Sequence, residues 1–361
     1  MASSGAASSR RSTTDFISTK WAKAFFGVVA LQALICVAFE AYVFGQFQTS
    51  LGSYQGSADN VDLDSQYRTI PTFLALFIFG FLYVLLLTWD ALRLKNTIQV
   101  IGLCIANLAL LVYTALQIDQ INSSIDKLQK ANALKQDPAN KDVWETIRPF
   151  LIAIPAIIGV VSLAMGYIAY QLYREFAWDI LKQIGADYRM KKRFLQYQVY
   201  IALLKFDFFF FLGFTVQFLV IVTGKTDAEK GLTIAAIPVT IAILLFAAFF
   251  TQRENKVGVC LVILLYFGAL GYFFFKLVRI YQPGRKEHYQ AVQRSLTAFA
   301  VLTIILIILT IINAFICMSN FGAGLKTHLV KPKGNDLEKD DLNSYQMNDQ
   351  KPTLPSRMTI D

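Results

Sequence analysis

The sequence predicts an all-α fold, a polytopic transmembrane helical bundle of eight spans, and three observations carry that prediction. Apolar runs of about 20 residues, the length that crosses a bilayer, recur from end to end. Only 16% of the residues are charged while 55% are hydrophobic, a balance a soluble domain does not hold without aggregating. The basic residues behind the net charge of +9 lie in short clusters at the ends of the apolar runs. That placement suits topology signals and anionic lipid headgroups rather than nucleic acid, which is not expected as a partner.

Residues 1–20 are Ser/Thr/Ala-rich and polar, so they are expected to be a disordered tail. The bundle fills residues 21–320, and the polar, Pro-containing residues 321–361 form a second disordered tail. The first apolar run, about Ala22 to Phe47, is too long for a cleaved signal peptide and reads as a retained anchor. Gln32, Cys36 and Glu40 fall at i, i+4, i+8 on it and share one face, which should point into the bundle. A polar loop over 48–69 follows.

Helices about Ile70–Leu92 and Thr97–Gln117 are joined by a four-residue linker, which makes them antiparallel neighbours. Residues 118–148 read as a loop holding a short amphipathic helix, with Ile118, Ile121, Ile125 and Leu128 in helical register. Asn122-Ser123-Ser124 is a glycosylation sequon. A helix about Pro149–Tyr173, with Pro155 as a kink, leads to the basic segment 174–198. There Phe176, Ile180 and Ile184 form an apolar stripe that could rest on the membrane surface against anionic headgroups. Four further runs follow, about Tyr200–Thr223, Gly231–Thr251, Val257–Val278 and Leu296–Met318. With eight spans both termini share one side. The flanks there hold 17 basic residues against 12 opposite, which places the termini in the cytosol. Four basic residues in 279–295 dissent, and a seven-span topology is the alternative.

Few groups carry chemistry. Lys205 and Asp207 sit near the start of the run Leu203–Val222, where an ionised group at mid-bilayer costs roughly 2.5–3.5 kcal/mol. They are about 200° apart around a helix and cannot pair with each other. Lys205 is read as snorkelling to the headgroups. Asp207, on a face with Phe211, Phe214 and Phe218, needs a partner from another helix. Glu40 and Lys276 fall at similar depth and are a candidate pair, and Gln217 is a further intramembrane polar residue. Trp89-Asp90-Ala91-Leu92-Arg93 and Trp178-Asp179-Ile180-Leu181-Lys182 echo each other at helix ends, where Trp and charge anchor to the interface. The four cysteines all lie inside apolar runs, with Cys317 the one acylation candidate. The two histidines, His288 and His328, fall in a loop and a tail, and no Gly-rich phosphate loop, nucleophile elbow or Cys-x-x-Cys occurs. No enzyme, metal or cofactor is expected.

The block Trp178–Val222 carries a resemblance, through Trp-Asp, Ile184-Gly185-Ala186-Asp187, Tyr197-Gln198, Leu204-Lys205-Phe206-Asp207-Phe208-Phe209-Phe210-Phe211 and Phe214-Thr215-Val216-Gln217. It resembles a fungal family of uncharacterised multi-pass Golgi apparatus membrane proteins. The resemblance implies a Golgi membrane address and no particular activity. The expected role is membrane organisation or trafficking as a scaffold in the lipid bilayer. The alternative is a small-molecule or ion transporter with Glu40, Asp207 and Gln217 along a polar path, and a seven-helix receptor is the weaker third.

Overall fold

The computed structural model describes residues 19–50, 61–130, 143–184, 188–221, 227–282 and 292–322. Both tails expected to be disordered lie outside these residues but for their inner ends. Among the described residues the protein is eight helices and no strand: α1 Lys20–Ser50, α2 Val61–Arg93, α3 Thr97–Lys130, α4 Val143–Ile184, α5 Tyr188–Val220, α6 Asp227–Gln252, α7 Lys256–Ile280 and α8 Gln293–Ser319. Each contains a stretch long and apolar enough to cross a membrane.

The helices form two rings of four. Helices α1 to α4 pack in sequence and close, α4 against α1; helices α5 to α8 do the same, α8 against α5. The rings meet where α2 and α3 touch α5, with α3 also reaching α8. One turn recurs at the equivalent place in each ring. Lys95 between α2 and α3, and Glu254 between α6 and α7, adopt positive φ values of 49° and 54°. The next residue is an asparagine that caps the following helix: Asn96 Oδ1 accepts from Gln99 N at 3.1 Å, and Asn255 Oδ1 from Gly258 N at 3.3 Å. A left-handed residue followed by an Asn cap ends one helix and starts the next within three residues. The Trp-Asp echo marks something else, since both copies fall in the first ring, on α2 and α4.

Helix ends depart from the sequence expectation in a consistent way. The loop over 48–69 is shorter than expected, because α2 already begins at Val61. Residues 118–130 are the continuation of α3 and not a separate amphipathic helix. Ile121, Ile125 and Leu128 are buried there in a satellite core with Val43, Phe47, Ile70, Leu74, Ile147 and Leu151 from α1, α2 and α4. The basic segment 174–198 is not a separate helix: its described residues are the end of α4, to Ile184, and the start of α5, from Tyr188. Phe176 from its stripe is buried in the main core; the side chains of Ile180 and Ile184 lie outside the described residues. Pro149 and Pro155 both lie within an α4 that is helical throughout, as membrane helices tolerate when neighbours compensate the freed carbonyls.

Close helix approach depends on small residues, Gly102 between the rings and Gly213 within the second ring. A Cβ at Gly102 would stand 2.6 Å from the Phe206 ring, and one at Gly213 would stand 2.4 Å from Phe299. Those glycines are the seats of two α5 and α8 aromatics, so helix axes approach as far as backbone allows. Gly213→Ala is therefore expected to lower unfolding stability by about 1–3 kcal/mol. Gly159→Ala, which meets nothing within 4 Å, should stay within about 0.5 kcal/mol of the parent. Thermal unfolding of the detergent-solubilised protein compares them; equal melting points would remove the close-approach account.

Candidate functional site

Among the amides of helix α3, Gln99, Asn107 and Gln117 are almost fully buried within the apolar run. In hydrocarbon such groups need partners, and each one organises a polar layer at a different depth. The first layer lies toward the end where α1 begins. Lys205 Nζ on α5 forms an ion pair with Asp90 Oδ2 on α2 and donates to Gln99 Oε1 at 3.0 Å. Gln99 Nε2 in turn donates to Asp90 Oδ2 at 3.0 Å and to the Leu87 carbonyl at 2.9 Å. The Tyr83 hydroxyl adds a bond to the Lys205 carbonyl at 2.7 Å.

Lys205 has a protein partner as well as an exposed edge. It stands level with Asp90 near the α2–α3 turn, and its ammonium is met by Asp90 and Gln99. Asp90 is correspondingly an ion-pair partner and not a headgroup anchor. Trp89 is 39% exposed with the Arg93 guanidinium 5.1 Å from its ring centroid. The side chains of Trp178 and Asp179 lie outside the described residues.

The middle layer stays within the first ring. Gln32 Nε2 donates to Asn107 Oδ1 at 2.7 Å, and Asn107 Nδ2 returns a bond to Gln32 Oε1 at 3.3 Å. Asn107 Nδ2 also reaches Ser162 Oγ at 2.9 Å, so α1, α3 and α4 are tied at one level. The third layer lies deeper. Gln117 Nε2 donates to Glu40 Oε1 at 3.4 Å. One turn earlier on α3, the Tyr113 hydroxyl accepts from Gln217 Nε2 at 3.4 Å, and Gln217 Oε1 accepts from Ser295 Oγ at 3.2 Å. Gln217 thereby bridges the two rings.

The remaining candidates separate. Asp207 is buried in the second ring, where the Thr310 hydroxyl of α8 donates to Oδ2 at 2.7 Å, and Tyr200 and Tyr266 are its electrostatic neighbours. Lys276 lies over the Phe218 ring, 3.7 Å from its centroid, with Tyr272 at 5.5 Å. It does not meet Glu40, which belongs to the other ring. Cys317 is buried with Sγ 3.7 Å from the Gln196 carbonyl, a thiol turned toward α5 and away from acylation. Asn122 is exposed on the continuation of α3.

Between the first and third layers the rings leave an apolar cleft of 180 Å³, lined by α2, α3, α5 and α8. Phe77, Phe206, Phe209, Phe210 and Phe299 are among its lining residues, and the rings are locked together: Tyr83 stacks on Phe209 at 5.4 Å, Tyr113 stands edge-on to Phe299 at 5.4 Å. A second recess of 330 Å³ lies beyond Tyr83 between α5 and α6, with Lys205 at its edge. Neither is lined by Glu40, Asp207 or Gln217. The residues that sequence reasoning passed over are Tyr83, Gln99, Asn107, Tyr113, Gln117 and Thr310. The signal for three of them was present, as amides inside an apolar run.

Compared with known proteins, the chain is 34% identical over 321 residues to a UPF0658 Golgi apparatus membrane protein of the fission yeast Schizosaccharomyces pombe, covering 84% of this chain and 88% of the relative. The chain belongs to the UPF0658 family. No family model and no solved structure matches it. With eight apolar helices, this UPF0658 member is a multi-pass membrane protein in contact with the bilayer.

The Gln32–Asn107 pair yields a quantitative expectation for the family member. Gln32→Leu and Asn107→Leu should each destabilise it, and the double variant should recover part of the loss, because neither amide is then left unpartnered. A coupling energy of about 0.6 kcal/mol, with about 1.7 as the upper bound for membrane helices, is expected from a double-mutant cycle of unfolding in detergent. Strict additivity would show the two amides to be independent.

Proposed function

We propose that the protein is a non-enzymatic resident of the Golgi membrane that organises membrane or traffic as a partner-binding scaffold. In this reading both termini and the segment 174–198 face the cytosol, and Asn122 faces the lumen. The Golgi address comes from what the fission yeast relative is named to be. The observation that carries the scaffold role is the use of the interior polar groups. Asp90, Lys205 and Gln99 bind one another across helices, Gln32 binds Asn107, and Gln217 binds Tyr113 and Ser295, so these groups hold a fixed frame, while the two recesses described above are apolar. A fixed frame with exposed cations beyond one end, Lys191 and Lys192 among them, suits docking of proteins and contact with anionic headgroups.

Transport is the second reading, and one observation favours it. Glu40 Oε2 and Asp207 Oδ1 are buried with no hydrogen-bond partner among the described residues, and intramembrane carboxylates often mark ion or proton paths. The two stand in different rings, which argues against one shared path.

Replacing Arg189, Lys191, Lys192 and Arg193 with Gln separates the readings. The scaffold reading predicts unchanged Golgi residence and thermal stability. It also predicts a severalfold loss of the neighbours labelled by a biotin ligase fused to the C-terminus. An unchanged neighbour set would count against it. So would ion flux in reconstituted vesicles that Glu40→Gln or Asp207→Asn abolishes.

A further inference from the structure

We propose that the cleft between the two rings is a binding site for a hydrocarbon chain of a membrane phospholipid, entering sideways from the bilayer between α3 and α8. The inference does not rest on the scaffold reading.

The wall chemistry selects an apolar occupant. The polar atoms nearest the cleft belong to Tyr83 and Tyr113, and both hydroxyls are engaged elsewhere, one donating to the Lys205 carbonyl at 2.7 Å and the other accepting from Gln217 at 3.4 Å. Both hydroxyls are thus held by partners outside the cleft, and the other lining side chains are apolar. Apolar cavities of about 150 Å³ stay dry and take up hydrocarbon, and this one holds 180 Å³.

Shape and access point to a chain. The lining runs along α3 from Ala106 to Leu116, ten residues or roughly 15 Å of helix, so the cleft is a slot along the membrane normal. Two of its lining residues, Val112 and Leu302, are 62% and 36% exposed. They belong to the apolar surface that meets lipid, which makes the slot continuous with the protein–bilayer interface. The slot is also preformed, because Phe206 and Phe299 are seated on Gly102 and Gly213. A chain lying there would complete the contact between the rings midway between the Lys205 and Gln217 layers.

The test uses the full-length protein in phosphatidylcholine vesicles carrying a small fraction of phosphatidylcholine with a diazirine on one acyl chain. After illumination, peptide mapping should find labelling within 106–116 and 298–302 severalfold above that at Leu163 and Leu264, which are exposed elsewhere on the bundle. Ala109→Phe, which fills the slot, should reduce that labelling to the level of Leu163 and leave Leu163 itself unchanged. Leu302→Trp at the mouth supplies the same readout from a position where added bulk is accommodated at the surface. Even labelling around the bundle, or slot labelling that both variants leave intact, would overturn the proposal. So would labelling of the slot by a diazirine sterol in place of the acyl probe.

Discussion

The ion pair between Lys205 and Asp90, with Gln99 bonded to both, is the constraint on which the arrangement of the two rings depends. Lys205 and Asp90 stand beside the α2–α3 turn, each about a quarter exposed, and removing one partner would leave the other's charge partly buried and unpaired. A carboxylate and an amide from the opposite ring meet the ammonium together, since Gln99 accepts from Lys205 and donates to Asp90. Breaking the layer at any member leaves a partly buried charge or a buried amide without its partner, which is worth more than the net value of the bonds themselves. That asymmetry gives the layer its specificity: helix pairings that separate α5 from the α2–α3 turn are penalised, whatever apolar contacts they make.

The other layers extend the same logic along α3. Gln99 and the Tyr113–Gln117 level tie α3 outward to α5 or α1, and Asn107 ties it to α1 and α4, so α3 is the strut shared by both rings. Lipid tails are as apolar as leucine, and the rings gain little from hydrophobic sorting. Polar pairs and close aromatic packing carry the specificity instead. Phe206 lies on Gly102 of α3, Phe209 lies against Phe79, Tyr83 and Gly80 of α2, and Phe210 meets Phe299 of α8.

The number and extent of the spans were legible in the sequence, because hydropathy reports directly on the solvent that each segment meets. What lay beyond the bilayer was not. The continuation of α3 to Lys130 is held by burial of Ile121, Ile125 and Leu128 among residues of three other helices, a tertiary effect that a run of mixed polarity does not display. The partner of Lys205 was hidden for a related reason: Asp90 stands on another helix, and nothing in the α5 segment names it. Asp207 was recognisable as a group that required a partner from another helix, yet nothing in its own segment named Thr310. The separation of Glu40 from Lys276 follows from the two-ring arrangement, which similar depth along two helices does not reveal.

The most direct test is a charge exchange at the first layer, read by unfolding of the purified protein in detergent. Asp90→Lys and Lys205→Asp should each collapse stability or expression, and the double variant should restore a folded, monodisperse bundle with most of the parent's melting point. Single reversals that fold as well as the parent, or a double variant no better than either, would show that this ion pair does not set how the rings meet.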